Sequence, residues 1–193
     1  MTTQQKLRLK RQIEKMEKER IKYAQKLVKL RKSLPREAVK NYTFKNKDGQ
    51  PVKMFSLFGG KKDLIVIHNM GKRCVYCTMW ADGFNGIRHH MENRAGFVVI
   101  SPDPPSIQKK FAASRNWKFN MLSAHGTDFN KNMGYESPKG DPWPGVSMFH
   151  RKNGKVYRVS HAGFGPWDDY CTVWHLFDLL ADGSNGWEPK YKY

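Results

Sequence analysis

The chain has 193 residues, which is enough for one domain with a hydrophobic core and an additional segment. Hydrophobic residues make up 39% of the sequence, but no apolar run approaches the ~18 residues that a membrane-spanning helix needs, so we expect no such helix. The formal net charge is +18, and more than half of this excess lies in residues 1–40.

The N-terminal segment bears on the compartment in which the protein works. It is charged from Lys6 onward and contains no apolar stretch of the secretory type, and its three glutamates are atypical of an acid-poor transit peptide. We therefore expect a cytoplasmic protein. Because the cytoplasm keeps thiols reduced, a Cys-x-x-Cys pair there indicates redox or metal chemistry rather than a structural disulfide.

The first predicted element is a helix over residues 4–33 that ends before Pro35. Residues spaced alternately by four and three positions form a stripe along this helix, and all of them are apolar except one arginine. They are Leu9, Ile13, Met16, Arg20, Tyr23, Leu27, Leu30 and Leu34. Lys and Arg fill the other faces. Such a helix can pack on the domain, form a homodimer, or contact nucleic acid or an anionic membrane, although no nucleic-acid-reading motif is present. We take residues 1–34 as a basic amphipathic helix and residues 35–193 as the folded domain.

The domain shows alternating strand and helix patterns. In chain order they predict two short strands around a turn at 47–49, a buried strand at 63–70, a helix at 76–94, a buried strand at 96–103, a helix at 106–117, an extended piece at 118–126, a hairpin at 145–163 turning at 152–154, and a helix at 167–180. This order predicts an α/β fold, with a mixed central sheet and helices on both faces.

Cys74 and Cys77 stand where the predicted 63–70 strand gives way to a helix. Unpaired backbone N–H groups and the positive end of the helix dipole favour a thiolate there, and Lys72 and Arg73 add positive charge. The spacing places the second thiol one turn on, within reach of a mixed disulfide on the first. The pattern predicts Cys74 as the nucleophile and Cys77 as the resolving thiol.

A zinc site is the main alternative for the cysteine pair. A four-coordinate structural site needs a second pair of ligands, and the candidates are Cys171 and the pair His89 and His90. The two histidines would lie some three helical turns beyond Cys77, which disfavours the arrangement, and Cys171 is better explained as a packed core thiol. We therefore predict no metal and no cofactor.

The chain resembles a bacterial thioredoxin-like family known as domain of unknown function 899. The resemblance rests on the Leu-Pro that ends the basic helix, on the cysteine pair, and on the segments YTF (42–44), LFGGKKDLIVIHNM (57–70), WADGFNG (80–86), DFN (128–130) and GVSMF (145–149). The segment from residue 98 to 135 is also similar to redoxin- and peroxiredoxin-type proteins. The resemblance covers nearly the full length and implies a thioredoxin-like fold, without an established reaction for the family.

Three further site residues follow from the resemblance to thioredoxins. Pro144 stands before a hairpin strand at the place of the proline that faces the cysteine pair in those proteins, where it is cis; an ordinary turn proline is the alternative. Trp143 beside it is a candidate for lining a substrate groove. His68 stands six residues before Cys74, at the spacing of a buried proton relay, so it could take the Cys77 proton; a structural core histidine is the alternative.

The residues around the pair depart from the thioredoxin pattern. Arg73 replaces the tryptophan that precedes the first cysteine, and Val75-Tyr76 replaces Gly-Pro and is closer to the Pro-Tyr-Cys of glutaredoxins. We include Arg73 and Tyr76 among the predicted substrate-binding residues. Gly71 stands where peroxiredoxins carry a threonine, three residues before the reactive cysteine.

These observations predict a thiol–disulfide oxidoreductase that acts on protein or small-molecule disulfides or thiols. A thiol peroxidase with Cys74 as the sulfenate-forming residue is one alternative. A non-catalytic binding module, anchored through the basic helix, is another.

Overall fold

A computed structural model describes residues 1–193 as two compact units, Met1–Arg36 and Glu37–Tyr193. The elements in chain order are α1 (Thr3–Ser33), β1 (Glu37–Val39), β2 (Thr43–Lys45), β3 (Pro51–Lys53), a 3-10 helix (Met54–Phe58), β4 (Asp63–His68), α2 (Val75–Arg94), β5 (Gly96–Ser101), α3 (Pro105–Ser114), β6 (Asn120–Ser123), α4 (Phe129–Asn132), β7 (Gly145–Lys152), β8 (Lys155–Gly163) and α5 (Thr172–Phe177). The division of the sequence at residue 34 stays a prediction.

The N-terminal unit is the predicted basic helix, α1. A capping box begins it, because the Thr2 hydroxyl accepts from the Gln5 backbone N–H while the Gln5 side chain accepts from the Thr2 backbone N–H. Leu34, in an extended conformation before Pro35, ends the helix as the sequence predicts. The helix has no buried residue, and its apolar stripe is exposed.

The second unit is built on one eight-stranded mixed sheet in the order β1-β8-β7-β4-β5-β6-β2-β3. The central strands β4, β5 and β6 are parallel, as the helical connections α2 and α3 require. β7 pairs antiparallel with β4 and continues through the Asn153-Gly154 turn into β8, which confirms the predicted hairpin. The predicted α/β fold with a mixed central sheet is therefore confirmed.

Alternate side chains of the central strands pack into two hydrophobic cores, one on each face of the sheet. In β4, Leu64 and Val66 belong to a core that contains Phe44, Phe58, Phe129 and Phe149. Ile65 and Ile67 point to the other face, where Trp80, Phe84, Trp117 and Trp174 form the second core. Because side chains alternate along a strand, a strand needs cover on both faces to carry a continuous apolar run, as β4 does at residues 64–67.

The last helix is shorter than predicted. α5 covers Thr172–Phe177 only, whereas the spacing of apolar residues predicts a helix at 167–180. Asp168 accounts for the later start of the helix, because its carboxylate accepts hydrogen bonds from the backbone N–H groups of Gly165 (3.0 Å) and Tyr170 (2.7 Å). This local loop competes with helical bonding, and Trp167 adopts a left-handed conformation (φ 65°) within it.

None of the helices combines the length and the apolar character required to cross a bilayer.

Candidate active site

Cys74 directly precedes α2 and Cys77 lies in its first turn, as the sequence predicts. Cys74 is the N-cap of α2, and its sulfur accepts from the Cys77 backbone N–H at 3.0 Å. The two sulfurs form a disulfide with 5.2 Å between the Cα atoms, inside the usual range for such bonds. Cys74 is partly exposed whereas Cys77 is 2% exposed, so only the first sulfur is positioned to meet a substrate.

Two polar side chains that sequence reasoning missed hold the loop before Cys74. The Asn69 amide oxygen accepts from the Gly71 N–H at 2.7 Å, and its NH2 group donates to the Cys77 carbonyl at 3.3 Å. The Asp103 carboxylate accepts from the Lys72 N–H at 2.7 Å. Asn69 follows β4 and Asp103 follows β5, so both lie at the carboxyl end of the parallel strands, where α/β proteins place their sites. That position is the signal by which they could have been found.

Gly71 is required by this loop for two reasons. Its φ is +99°, a conformation that residues with a Cβ rarely adopt, and a Cβ there would come within 2.7 Å of the Asp103 carboxylate. A threonine therefore does not fit at position 71 in this loop.

The C-terminal segment also reaches the loop before the cysteine pair. The Tyr191 hydroxyl donates to the Lys72 carbonyl at 2.9 Å, and Arg115 donates to the Tyr191 carbonyl at 2.6 Å. Arg73 is exposed between this contact and Cys74. Tyr76 is half-buried, with its ring stacked 6.0 Å from that of Trp174. The predicted substrate-binding roles of Arg73 and Tyr76 stay predictions.

His68 is the last residue of β4 and is 1% exposed. Its Nε2 lies 2.9 Å from the Ser147 hydroxyl and its Nδ1 lies 3.4 Å from the Asn130 amide oxygen, while its ring stacks 3.8 Å from that of Tyr135. Burial lowers its pKa to about 3, so the imidazole is neutral at physiological pH. Neither ring nitrogen is hydrogen-bonded to a cysteine sulfur, and the predicted relay of the Cys77 proton stays a prediction.

Pro144 and Trp143 lie at the same end of the sheet as the cysteine pair. Gly145, the next residue, pairs with His68 in the register of β7 with β4. The structure contains no cis peptide bond, so the cis alternative for Pro144 is wrong. The backbone N–H of Trp143 donates to the Tyr135 carbonyl at 2.9 Å, and the Pro144 carbonyl accepts from the Phe164 backbone N–H at 3.1 Å. The backbone N–H of Trp143 and the carbonyl of Pro144 therefore already have hydrogen-bond partners within the chain.

The remaining cysteine and the histidine pair lie outside this arrangement. Cys171 is buried in the second core, as predicted, and burial raises the pKa of its thiol. His89 and His90 are exposed on α2. No group of three or more His, Cys, Asp and Glu side chains is arranged to hold a metal ion.

The mixed central sheet covered by helices is the thioredoxin-like fold, and the Cys-x-x-Cys pair stands at the start of the helix after a central strand. The chain belongs to the family described as bacterial protein of unknown function (DUF899), whose sequence model matches residues 2–193.

Solved structures with the same fold include three peroxiredoxin-type proteins. A peroxiredoxin-like protein from Aquifex aeolicus is 22% identical, with a TM-score of 0.53 over 66% of this chain and 74% of that one. Peroxidoxin BcpB from Mycobacterium tuberculosis is also 22% identical, with a TM-score of 0.54 over 66% and 84%. The bacterioferritin comigratory protein of Xanthomonas campestris is 12% identical, with a TM-score of 0.51 over 63% and 80%. At these identities the likeness concerns the fold. No curated protein matches the sequence.

Proposed function

We propose that the protein is a thiol–disulfide oxidoreductase. The observation that carries the proposal is the difference in exposure within the Cys74–Cys77 pair at the start of α2. Free backbone N–H groups and the helix dipole favour a thiolate on Cys74, and the Cys77 N–H already donates to its sulfur. A partly exposed nucleophile beside a buried second thiol is the arrangement that stepwise disulfide exchange requires.

In the reducing direction the reaction has two steps. The Cys74 thiolate attacks one sulfur of a substrate disulfide, which forms a mixed disulfide and releases the other sulfur as a thiolate. Cys77 then loses its proton and attacks the Cys74 sulfur, which forms the Cys74–Cys77 disulfide and releases the second substrate thiol. Two electrons and the Cys77 proton pass to the substrate, the other substrate thiolate takes its proton from water, and the reverse sequence oxidises a dithiol.

The loop contacts give this reaction a fixed geometry. Asn69 holds the Cys77 carbonyl and Asp103 holds the Lys72 N–H, so the two cysteines keep their relative position between the steps. Trp143 and Pro144, at the same end of the sheet, are the residues we propose for contact with the substrate. Trp143 is 50% exposed and offers an apolar surface for it.

Thiol peroxidase activity is the second candidate function. One of the structures with this fold is described by its alkyl peroxide reduction activity. In such a reaction Cys74 would attack a peroxide oxygen, release an alcohol and become a sulfenic acid, which Cys77 would condense to the same disulfide with loss of water. The Gly71 loop weighs against this candidate, because the threonine of a peroxiredoxin site has no room there.

One experiment separates the two candidates. The reduced protein is mixed with oxidised glutathione or with an alkyl hydroperoxide, and disulfide formation is followed by alkylation and mass measurement. We expect rapid oxidation by the disulfide and a peroxide rate close to that of free cysteine thiolate. A peroxide rate orders of magnitude above that of free thiolate, with no faster reaction with the disulfide, would instead assign the peroxidase.

The role of α1 is separate from this chemistry. Its apolar stripe is exposed and its other faces carry a dense positive charge, so we propose it as a contact surface for a partner. Homodimerisation and contact with nucleic acid or an anionic membrane stay predictions.

A further inference from the structure

An open pocket of about 640 Å³ lies on the second unit, away from the sulfur atoms themselves. It is bounded by β8 on one side and by the chain from Lys131 to Pro144 on the other. Its volume falls in the range of small-molecule sites. One of its lining residues, Arg158, is a buried charged side chain that makes no ion pair.

Arg158 is 8% exposed, although charged side chains are almost never buried unless they are paired. Its buried Nε has no hydrogen-bond partner, and the guanidinium forms no ion pair with any Asp or Glu. Glu37 is its cross-strand neighbour on β1, yet it is exposed and makes no ion pair with the guanidinium. The guanidinium interacts with the Tyr135 side chain, whose ring centroid lies 5.8 Å from the guanidinium carbon.

The rest of the lining supplies no negative charge. Lys131 and His161 also line the pocket, and none of its lining residues is Asp or Glu. Burying an unpaired charge costs free energy, so an anion from outside the chain that pairs with Arg158 would stabilise this arrangement. Arginine binds carboxylates and phosphates through two parallel hydrogen bonds, which makes an anion of this kind the fitting occupant.

We propose that this pocket binds a small organic anion, with its carboxylate or phosphate group on Arg158. The other part of the lining is apolar and includes Trp143, Pro144 and Phe164, so it suits a flat or aliphatic body attached to that group. The pocket shares Trp143 and Pro144 with the proposed substrate surface. Its existence rests on Arg158 and its surroundings, not on the proposed redox function, and it is tested by binding alone.

The test measures binding of benzoate and of inorganic phosphate by calorimetry, at one fixed ionic strength. Benzamide is the matched neutral ligand, because it has the ring of benzoate without its charge. We expect saturable binding of benzoate or phosphate and at least tenfold weaker binding of benzamide. Benzoate binding without phosphate binding identifies a carboxylate ligand, and the reverse identifies a phosphate ligand.

Two variants test whether the Arg158 guanidinium is responsible for the binding. Arg158→Met keeps much of the side-chain volume and should weaken anion binding at least tenfold, while its melting temperature in anion-free buffer should equal or exceed that of the wild type. Arg20→Met removes the same charge from an exposed position on α1 and should bind the anion as the wild type does. The proposal is overturned if neither anion binds the wild type, if benzamide binds as tightly as benzoate, or if Arg158→Met binds as tightly as Arg20→Met. The first two outcomes need no variant to fold.

Discussion

Replacing Cys74 with serine is expected to abolish thiol–disulfide exchange, whereas replacing Cys77 with serine is expected to trap substrates as mixed disulfides. Cys74 carries the partly exposed sulfur, so its loss removes the only thiol that can begin the reaction. Cys77 is buried, so in the proposed reaction it acts in the second step only. The measurement is turnover of a disulfide substrate by each variant, together with the mass of the protein after incubation with oxidised glutathione.

Cys171→Ser is the matched control for these variants. Cys171 is buried in the second core, and its raised thiol pKa leaves it largely protonated at neutral pH. Its replacement should therefore leave turnover unchanged and should accumulate no mixed disulfide. Turnover that survives in Cys74→Ser, or a glutathione adduct that forms on Cys77 rather than on Cys74, would contradict the assignment of roles.

The second large effect expected is a loss of stability in mild acid caused by His68. The pKa of this residue is lowered by burial to about 3 in the folded protein, against about 6.5 in an unfolded chain. Between these values the unfolded chain binds a proton that the folded protein does not. The stabilisation from neutral His68 is therefore complete above pH ~6.5 and falls as the pH approaches 3, with ~3 kcal/mol lost by pH 4.

The measurement is the free energy of unfolding by urea at several pH values between 7 and 4, for the wild type and for His68→Gln. The variant should be less stable at pH 7, since it loses the ring stack on Tyr135, but its stability should depend much less on pH. His89→Gln alters a histidine that is exposed in the folded protein and should keep the wild-type dependence. If the wild type and His68→Gln lose stability in parallel, the buried neutral state is wrong. Turnover of the same variant tests the proton relay.

Much of the fold was predictable because its strongest signals are local. The 63–70 run marks a strand covered on both faces, and the Asn153-Gly154 turn between two alternating runs marks a hairpin. Cys74 at the start of α2 followed from the change of pattern after the strand. Each of these features depends on residues that are close together in the sequence.

What could not be predicted depends on contacts between distant residues. β1 is a three-residue strand that exists because β8 offers an edge, and nothing in its own sequence indicates this. Asp103 joins the site only because β5 lies beside β4. The lack of an ion pair at buried Arg158 is likewise invisible in the sequence, since it depends on which side chains the fold brings beside it. The Asp168 loop, which shortens α5, could not be predicted from the spacing of apolar residues. That spacing contains no information about a side chain that competes for backbone N–H groups.

The most direct test of the central claim is a glutathione redox titration of the wild type, with the thiols of Cys74 and Cys77 alkylated and counted by mass. We expect one reversible transition in which both thiols disappear together, at a potential between about −270 and about −120 mV, the range spanned by known thiol oxidoreductases. That result would establish the pair as a working dithiol. A pair that stays reduced over the whole range would contradict the claim. So would a pair that forms a mixed disulfide with glutathione but no Cys74–Cys77 disulfide.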